Sequence, residues 1–163
     1  LKVFIKTMNK LIKNKGFTLI EILVVIGIIA VLAAIVIVAI NPSRQFAQAR
    51  NTQRESNVNT ILNAIGQNMV DNKGVALSVD TCAGIDTVPS ATPKHIGTDS
   101  GLVDLSCLVP TYISSSIPFD PTNGDEGDTQ YTIELLGTGR YKVCAPGHQE
   151  TAIADSTAYC LTR

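Results

Sequence analysis

Residues 15–40 read KGFTLIEILVVIGIIAVLAAIVIVAI, a segment that is almost entirely apolar. Of the 24 residues in the range 17–40, 21 are apolar, and the exceptions are Thr18, Glu21 and Gly27. As an α-helix these 24 residues would extend about 36 Å at ~1.5 Å per residue, against a hydrocarbon core of about 30 Å. A buried helix of a soluble protein rarely runs this long without a polar face. The segment therefore predicts a membrane-spanning helix over residues 17–40.

The 16 residues before this helix are basic. They hold five of the 13 Lys and Arg residues of the chain and no acidic residue. By the positive-inside rule, this distribution predicts a cytoplasmic N-terminus and places everything after Ile40 outside. A secretory signal peptide is the alternative, but its apolar region is normally ~7–15 residues long and ends at a small-residue cleavage site. Residue 1 is Leu, and a start at Met8 instead would give the leader MNKLIKNKG.

Glu21 is the one charged residue inside the apolar segment. An ionised carboxylate at the bilayer centre costs roughly 2.5–3.5 kcal/mol on insertion scales, and less near the edge. One interpretation is that Glu21 simply lies at the headgroup boundary. The other is that it binds a positive partner, such as a free amino terminus at Phe17 on the same chain or on a neighbouring one.

The sequence KGFTLIE at residues 15–21, followed by the uncharged apolar run, closely resembles the N-terminus of type IV pilins and type II secretion pseudopilins. The resemblance implies that a prepilin peptidase cuts after Gly16 and methylates the new N-terminal Phe17. It also implies that Glu21 is needed for assembly into a filament. The fold it implies is α+β, with a long N-terminal helix packed on a small antiparallel sheet.

The chain then divides into four segments. Pro42 disfavours helix at Asn41, which predicts a kink or a melted turn between two helical parts. After this break, apolar residues at helical spacing form a stripe that is expected to pack under the sheet: Val58, Ile61, Leu62, Ile65 and Met69. Gly74 is the predicted C-cap of this helix. The predicted segments are the leader 1–16, the membrane and filament-core helix 17–40, the amphipathic helix 41–72 and the extracytoplasmic β domain 73–163.

The β domain has clear strand signals near its end. Residues 130–136 and 140–145 flank Gly137-Thr138-Gly139, which predicts a β-hairpin. Residues 158–162 are predicted to form one more strand.

Four cysteines lie after the membrane segment, and an even count in an exported domain predicts two disulfides. Three pairings are possible. We favour Cys82–Cys107 and Cys144–Cys160, because each closes a local loop and the second would tie the C-terminal tail to the hairpin, as in many pilins. Each is worth ~3 kcal/mol in the loop-entropy model. A zinc site is disfavoured because no C-x-x-C spacing occurs.

An acidic loop lies between residues 120 and 128. Oxygen ligands on a glycine-containing loop are what calcium prefers, although the spacing is not that of an EF-hand. A solvated acidic turn is the alternative, and the structural calcium of some pseudopilins favours metal. The candidate ligands are Asp120, Asn123, Asp125, Glu126 and Asp128. No other cofactor is expected.

Arg44, Arg50 and Arg54 form a basic stretch just after the membrane segment. They are expected to meet anionic headgroups, acidic residues of neighbouring subunits, or solvent.

Charge and motifs limit the function classes. Without the 16-residue leader the chain has 8 basic and 14 acidic side chains, a net charge of −6, so direct nucleic-acid binding is not expected. Both histidines, His95 and His148, lie in Pro- or Gly-flanked loops and no nucleophile motif such as G-x-S-x-G occurs, so the chain is not expected to be an enzyme.

Three functions remain. The first is a type IV pilus subunit serving adhesion, twitching motility or DNA uptake, favoured by two disulfides and a short leader. The second is a type II secretion pseudopilin that drives protein export, favoured by the acidic loop. A non-polymerising membrane-anchored binding domain is third, because a simple anchor needs neither Glu21 nor Gly16-Phe17. The first two functions imply a protein inserted in the inner membrane that is processed by the prepilin peptidase and handled by an assembly platform. Its copies would then form an extracellular pilus or a periplasmic pseudopilus.

Overall fold

The computed structural model describes residues 16–74, 88 and 92–163. Within the chain two compact units separate between Pro42 and Ser43, two residues beyond the end of the predicted membrane segment. The first unit contains helix α1, Leu19–Ala39. The second contains all the strands and helix α2, Pro42–Asp71, except for the first residue of that helix.

Helix α1 is 21 residues long and has no buried residue. It is the one helix among the described residues that is long and apolar enough to cross a membrane. Apolar side chains exposed all round a helix have no favourable environment in water, whereas lipid accommodates them. The structure thus gives the predicted apolar helix at nearly the predicted bounds.

The break between the two helices occurs where Pro42 predicts it. Ile40 has an extended backbone, with φ −99° and ψ 113°, and Asn41 is not helical. Pro42 is the first residue of α2, the position at which a missing N–H costs nothing. The restriction that proline places on the preceding residue accounts for the interruption.

Helix α2 has 30 residues and buries one face. Val58, Ile61, Leu62 and Ile65 are at most 1% exposed, which confirms the predicted stripe. The helix ends at Asp71 and is closed by a Schellman-type C-cap: Lys73 is left-handed, with φ 58°, and its N–H donates to the Val70 carbonyl at 3.3 Å, while the Gly74 N–H donates to the Met69 carbonyl at 2.8 Å. The left-handed position that was predicted for Gly74 thus begins one residue earlier, at Lys73.

Four antiparallel strands form one sheet in the order β1-β2-β3-β4. The hairpin β2–β3 and strand β4 confirm the sequence predictions, whereas β1 was not predicted. The strands are β1 Lys94–His95, β2 Thr132–Leu135, β3 Tyr141–Ala145 and β4 Tyr159–Thr162.

The core lies between the buried face of α2 and one face of this sheet. Ile61 and Ile65 of α2 belong to the same buried cluster as Ile133 of β2 and Val143 of β3, all at most 1% exposed. The fold is therefore α+β and pilin-like, with a long N-terminal helical region and a four-stranded antiparallel sheet on α2.

A disulfide joins Cys144 of β3 to Cys160 of β4, which are directly opposite each other in the sheet. Their Cα atoms are 4.1 Å apart, and the bond closes the C-terminal loop as predicted. The other favoured pairing, Cys82–Cys107, stays a prediction because Cys82 lies outside the described residues.

Candidate functional site

The predicted processing and assembly residues, Gly16, Phe17 and Glu21, lie within six positions at the N-terminus of α1. Thr18 is the N-cap, with an extended backbone, and its Oγ1 accepts a hydrogen bond from the Glu21 N–H at 3.2 Å. In return, Glu21 Oε2 accepts from the Thr18 N–H and from its hydroxyl, each at 3.3 Å. This reciprocal pair is a capping box, and it explains why the helix begins at Leu19.

The capping box places Glu21 at the third residue of the helix. A carboxylate there lies at the positive end of the helix dipole, in the first turn. Only Oε2 takes part in the box, so Oε1 forms no hydrogen bond with the residues that the structure describes. The arrangement can therefore hold the helix end and still offer one carboxylate oxygen to a cation.

Gly16 and Phe17 precede the cap and are not helical. Phe17 is 80% exposed, and a side chain built at Gly16 would meet no atom within 4 Å. Among the described residues nothing covers the Phe17 side chain or the Cβ position of Gly16, and a protease requires such an open cleavage site. The structure is thus compatible with the predicted cut between Gly16 and Phe17.

Two of the basic residues of α2, Arg50 and Arg54, form ion pairs within their own chain, which the sequence did not predict. Arg54 is only 2% exposed, and its Nε donates to Asp120 Oδ2 at 2.6 Å. Its Nη1 donates to Glu150 Oε1, also at 2.6 Å, and Arg50 binds both oxygens of Glu150 at 2.7 Å. Expectations of headgroup binding or a solvated face are therefore wrong for Arg50 and Arg54, which form a buried and half-buried ion network with acidic residues of their own chain.

The network changes the acidity of its carboxylates. Hydrogen bonds from Arg50, then from Arg54, outweigh partial burial and lower the pKa of Glu150 to about 2. Burial by itself would raise the pKa of Asp120, but the hydrogen bonds from Arg54 and the Thr122 N–H outweigh it and lower this pKa as well. Both acids stay ionised near neutral pH because a guanidinium faces them.

The acidic loop is also different from its predicted form. Asp120 is 3% exposed and binds Arg54, so it is a partner of the arginine rather than a free calcium ligand. Asp125 Oδ1 accepts from the Asp128 N–H at 2.9 Å, and Asp128 lies 3.0 Å from His95 Nδ1. Across the described ranges, no three His, Cys, Asp or Glu side chains are grouped so that they could hold a metal.

The five predicted ligands therefore do not form one ligand set. Calcium binding by the four that remain after Asp120 stays a prediction; they are Asn123, Asp125, Glu126 and Asp128.

Sequence reasoning missed the buried polar residues of α2. Asn57 Nδ2 donates to the Tyr131 hydroxyl at 2.9 Å and to the Phe119 carbonyl at 3.1 Å. Arg54 and Asn57 lie at helical spacing from Val58 and Ile61, on the face that packs on the sheet. Extending the apolar stripe toward the N-terminus would have placed them on the buried face, although it would not have named their partners.

Comparison with protein families supports the N-terminal motif. A family model described as the prokaryotic N-terminal methylation motif matches residues 11–37. No curated protein and no solved structure matches the chain. The match covers Gly16, Phe17, Glu21 and most of α1.

Proposed function

We propose that this chain, whose N-terminal methylation motif is typical of type IV pilins and type II secretion pseudopilins, is a structural subunit of a type IV pilus. It is inserted in the inner membrane, cut after Gly16 by a prepilin peptidase and methylated at Phe17. An assembly platform then packs α1 against copies of itself into a filament for adhesion, twitching motility or DNA uptake. The proposed role is structural, as is general for proteins of this kind.

One observation carries the proposal: an apolar helix without a buried residue has a single carboxylate in its first turn and directly follows an exposed Gly-Phe-Thr segment. A plain anchor needs the apolar helix and neither of the other two features. A filament subunit uses all three, because cleavage exposes an amine that the carboxylate can bind.

Transfer from membrane to filament follows from the surface of α1. In lipid its apolar surface costs nothing, whereas exposure to water costs ~25 cal/mol per Å². The helix can therefore leave the bilayer only when other apolar surface covers it, and copies of α1 supply that surface. Gly27, Ala30, Ala33 and Ala34 give small side chains at which neighbouring helices can approach closely.

Glu21 sets the register of this packing. In a dry helix bundle an unpaired carboxylate is expensive, and a pairing with the Phe17 amine of a neighbouring copy removes that cost. A subunit shifted along the bundle would leave both groups unpaired. The free Oε1 is the atom that would accept from the amine.

The cleavage step is tested by mass spectrometry of the chain recovered from membranes. We expect the native protein to begin at Phe17 and to carry one additional methyl group. Gly16→Val should leave the leader attached, because a branched side chain would enter the scissile position, whereas the control Gly66→Ala should be cut normally. A native chain that keeps its leader, or a Gly16→Val chain that loses it, would refute the proposed processing.

A type II secretion pseudopilin is the second candidate, favoured by the acidic loop at residues 120–128. Electron microscopy of sheared cell surfaces separates the two functions. Long extracellular fibres containing this chain support a pilus subunit. Their absence, together with a loss of protein secretion when the chain is deleted, supports the pseudopilin.

A further inference from the structure

A cavity of about 250 Å³ opens in the second unit, beside the end of β1 and separate from the N-terminal site. Ile96, 0% exposed, and Leu105, 1% exposed, form part of its apolar lining, together with Val109 and Ile117. The volume is enough for one amino-acid side chain or a small ligand. The cavity takes no part in the proposed filament contacts of α1.

One wall of this cavity is fixed by backbone contacts. A methyl group built on Gly97 would collide with the Gly127 carbonyl, so the two loops meet backbone to backbone. The Thr98 N–H donates to the Glu126 carbonyl at 3.2 Å, and the Asp99 N–H donates to the Gly127 carbonyl at 3.0 Å. The backbone position of Glu126 at the cavity is therefore built into the fold.

The polar groups at the cavity are mainly acceptors. Asp104 accepts from the Ser106 N–H through Oδ1 at 2.8 Å and keeps its other oxygen available. The Glu126 carboxylate forms no hydrogen bond or ion pair with any residue of the described part of the chain. Ser115 and Ser116 add hydroxyls, while the described residues that line the cavity include no Lys, Arg or His.

We propose that this cavity binds a lysine side chain presented by a partner protein. The apolar lining accommodates the methylene stem, and the two carboxylates with the serine hydroxyls accept from the three protons of the ammonium group. Two acids without a basic residue exclude anionic ligands. A lysine side chain has one charged head on an apolar stem, which suits a cavity whose buried lining is apolar. A polyamine is charged along its length and would place charge against that apolar lining.

The charge of the surrounding unit fits such a partner. Residues 43–163 contain 8 basic and 13 acidic side chains, a net charge of −5, and six of the acids lie in the range 99–128. The negative charge of this unit attracts a positively charged partner and speeds its association, and added salt weakens both effects. The cavity would then select a protruding lysine on that partner.

The test uses the full chain in detergent micelles, labelled with ¹⁵N, and two matched probes. Nα-acetyl-lysine amide carries the charged head, and its Nε-acetylated form keeps the stem but not the charge. We expect saturable shifts at Ile96, Ser116 and Glu126 with the charged probe, and binding about tenfold weaker with the neutral one. Equal binding of both probes, or shifts that avoid the cavity, would overturn the proposal.

Substitutions at the cavity sharpen this test. Glu126→Gln and Asp104→Asn should each weaken binding of the charged probe about threefold to tenfold and leave the neutral probe unaffected. Asp155→Asn is the control, because Asp155 is an exposed acid that does not line the cavity and asparagine tolerates its positive φ. Unchanged affinity in both cavity variants, or tighter binding of spermidine than of the lysine probe, would also overturn the proposal.

Discussion

Arg54 donates hydrogen bonds to side chains of two separate loops, and it therefore links both loops to α2, together with Arg50 and Asn57. Asp120 and Thr122 belong to the first loop and Glu150 to the second. A buried guanidinium is tolerated here because each of its nitrogens has an acceptor. The same arrangement makes the loss of either partner costly.

Replacement of Arg54 by alanine should destabilise the second unit by about 3–5 kcal/mol, because Asp120 would be left buried and unpaired. Chemical unfolding of the full chain in micelles measures this loss. The control is Lys142→Ala, whose pair with Glu134 is partly exposed and should be worth only about 0–1 kcal/mol. Equal losses in the two variants would show that the Arg54 network does not hold the loops.

The ion network also predicts how stability depends on acidity. The pKa of Glu150 is about 2 in the folded chain against 4.5 for the free residue, so its stabilising effect is present above pH 4.5 and is lost as pH falls toward 2. Glu150→Gln should therefore flatten the fall in unfolding free energy between these two pH values. Chemical unfolding followed by circular dichroism at a series of pH values measures this fall. Parallel pH profiles for the native and variant chains would contradict the stabilising role of the Glu150 carboxylate.

Among the helices, α1 depends on the Thr18 capping box for its first turn. Thr18→Ala removes the N-cap, which costs about 0.5–2 kcal/mol and frays the first turn. Hydrogen exchange in micelles should show the Glu21 amide exchanging roughly fivefold faster.

Thr52→Ala is the control, because the Thr52 hydroxyl donates to the Gln48 carbonyl within α2 and caps no helix end. It should leave the exchange of α1 unchanged. Unaltered exchange at Glu21 in Thr18→Ala would mean that the box does not define where the helix begins.

Local patterns account for the elements that the sequence predicts correctly. The apolar run, the proline break, the helical stripe and the turn glycines each act within a few residues, so α1, α2, the β2–β3 hairpin and β4 follow from them. Strand β1 has only two residues, and it exists because Lys94 pairs with Ile133, 39 positions away. Nothing in the local pattern of β1 indicates that partner.

The candidate site divides in the same way. Gly16, Phe17 and Glu21 lie within six consecutive residues, so the sequence alone is enough to find the motif. The ion network joins Arg54 to residues 66 and 96 positions further along the chain. Asp120 was predicted to be a calcium ligand because its sequence neighbours do not reveal its partner. The arginine that binds it, Arg54, lies 66 positions earlier in the chain.

Taken as a whole, the molecule consists of two units suited to different surroundings. The first exposes apolar side chains along all of α1 and has one acidic side chain, Glu21, in that helix. The second has its own buried core, a disulfide and an ion network, and a net charge of −5 over residues 43–163. The second unit carries its stabilising contacts within itself, whereas α1 needs lipid or copies of α1 to cover it.

Filament formation by a Glu21→Ala variant is the measurement that decides whether this helix is an assembly element. We expect the variant to reach the membrane at the native level and to be cut after Gly16, while sheared filaments seen by electron microscopy fall at least about tenfold. Asp155→Asn, which also removes one negative charge, should assemble normally. Filaments of native number and length in Glu21→Ala would contradict the role of Glu21 in register and assembly.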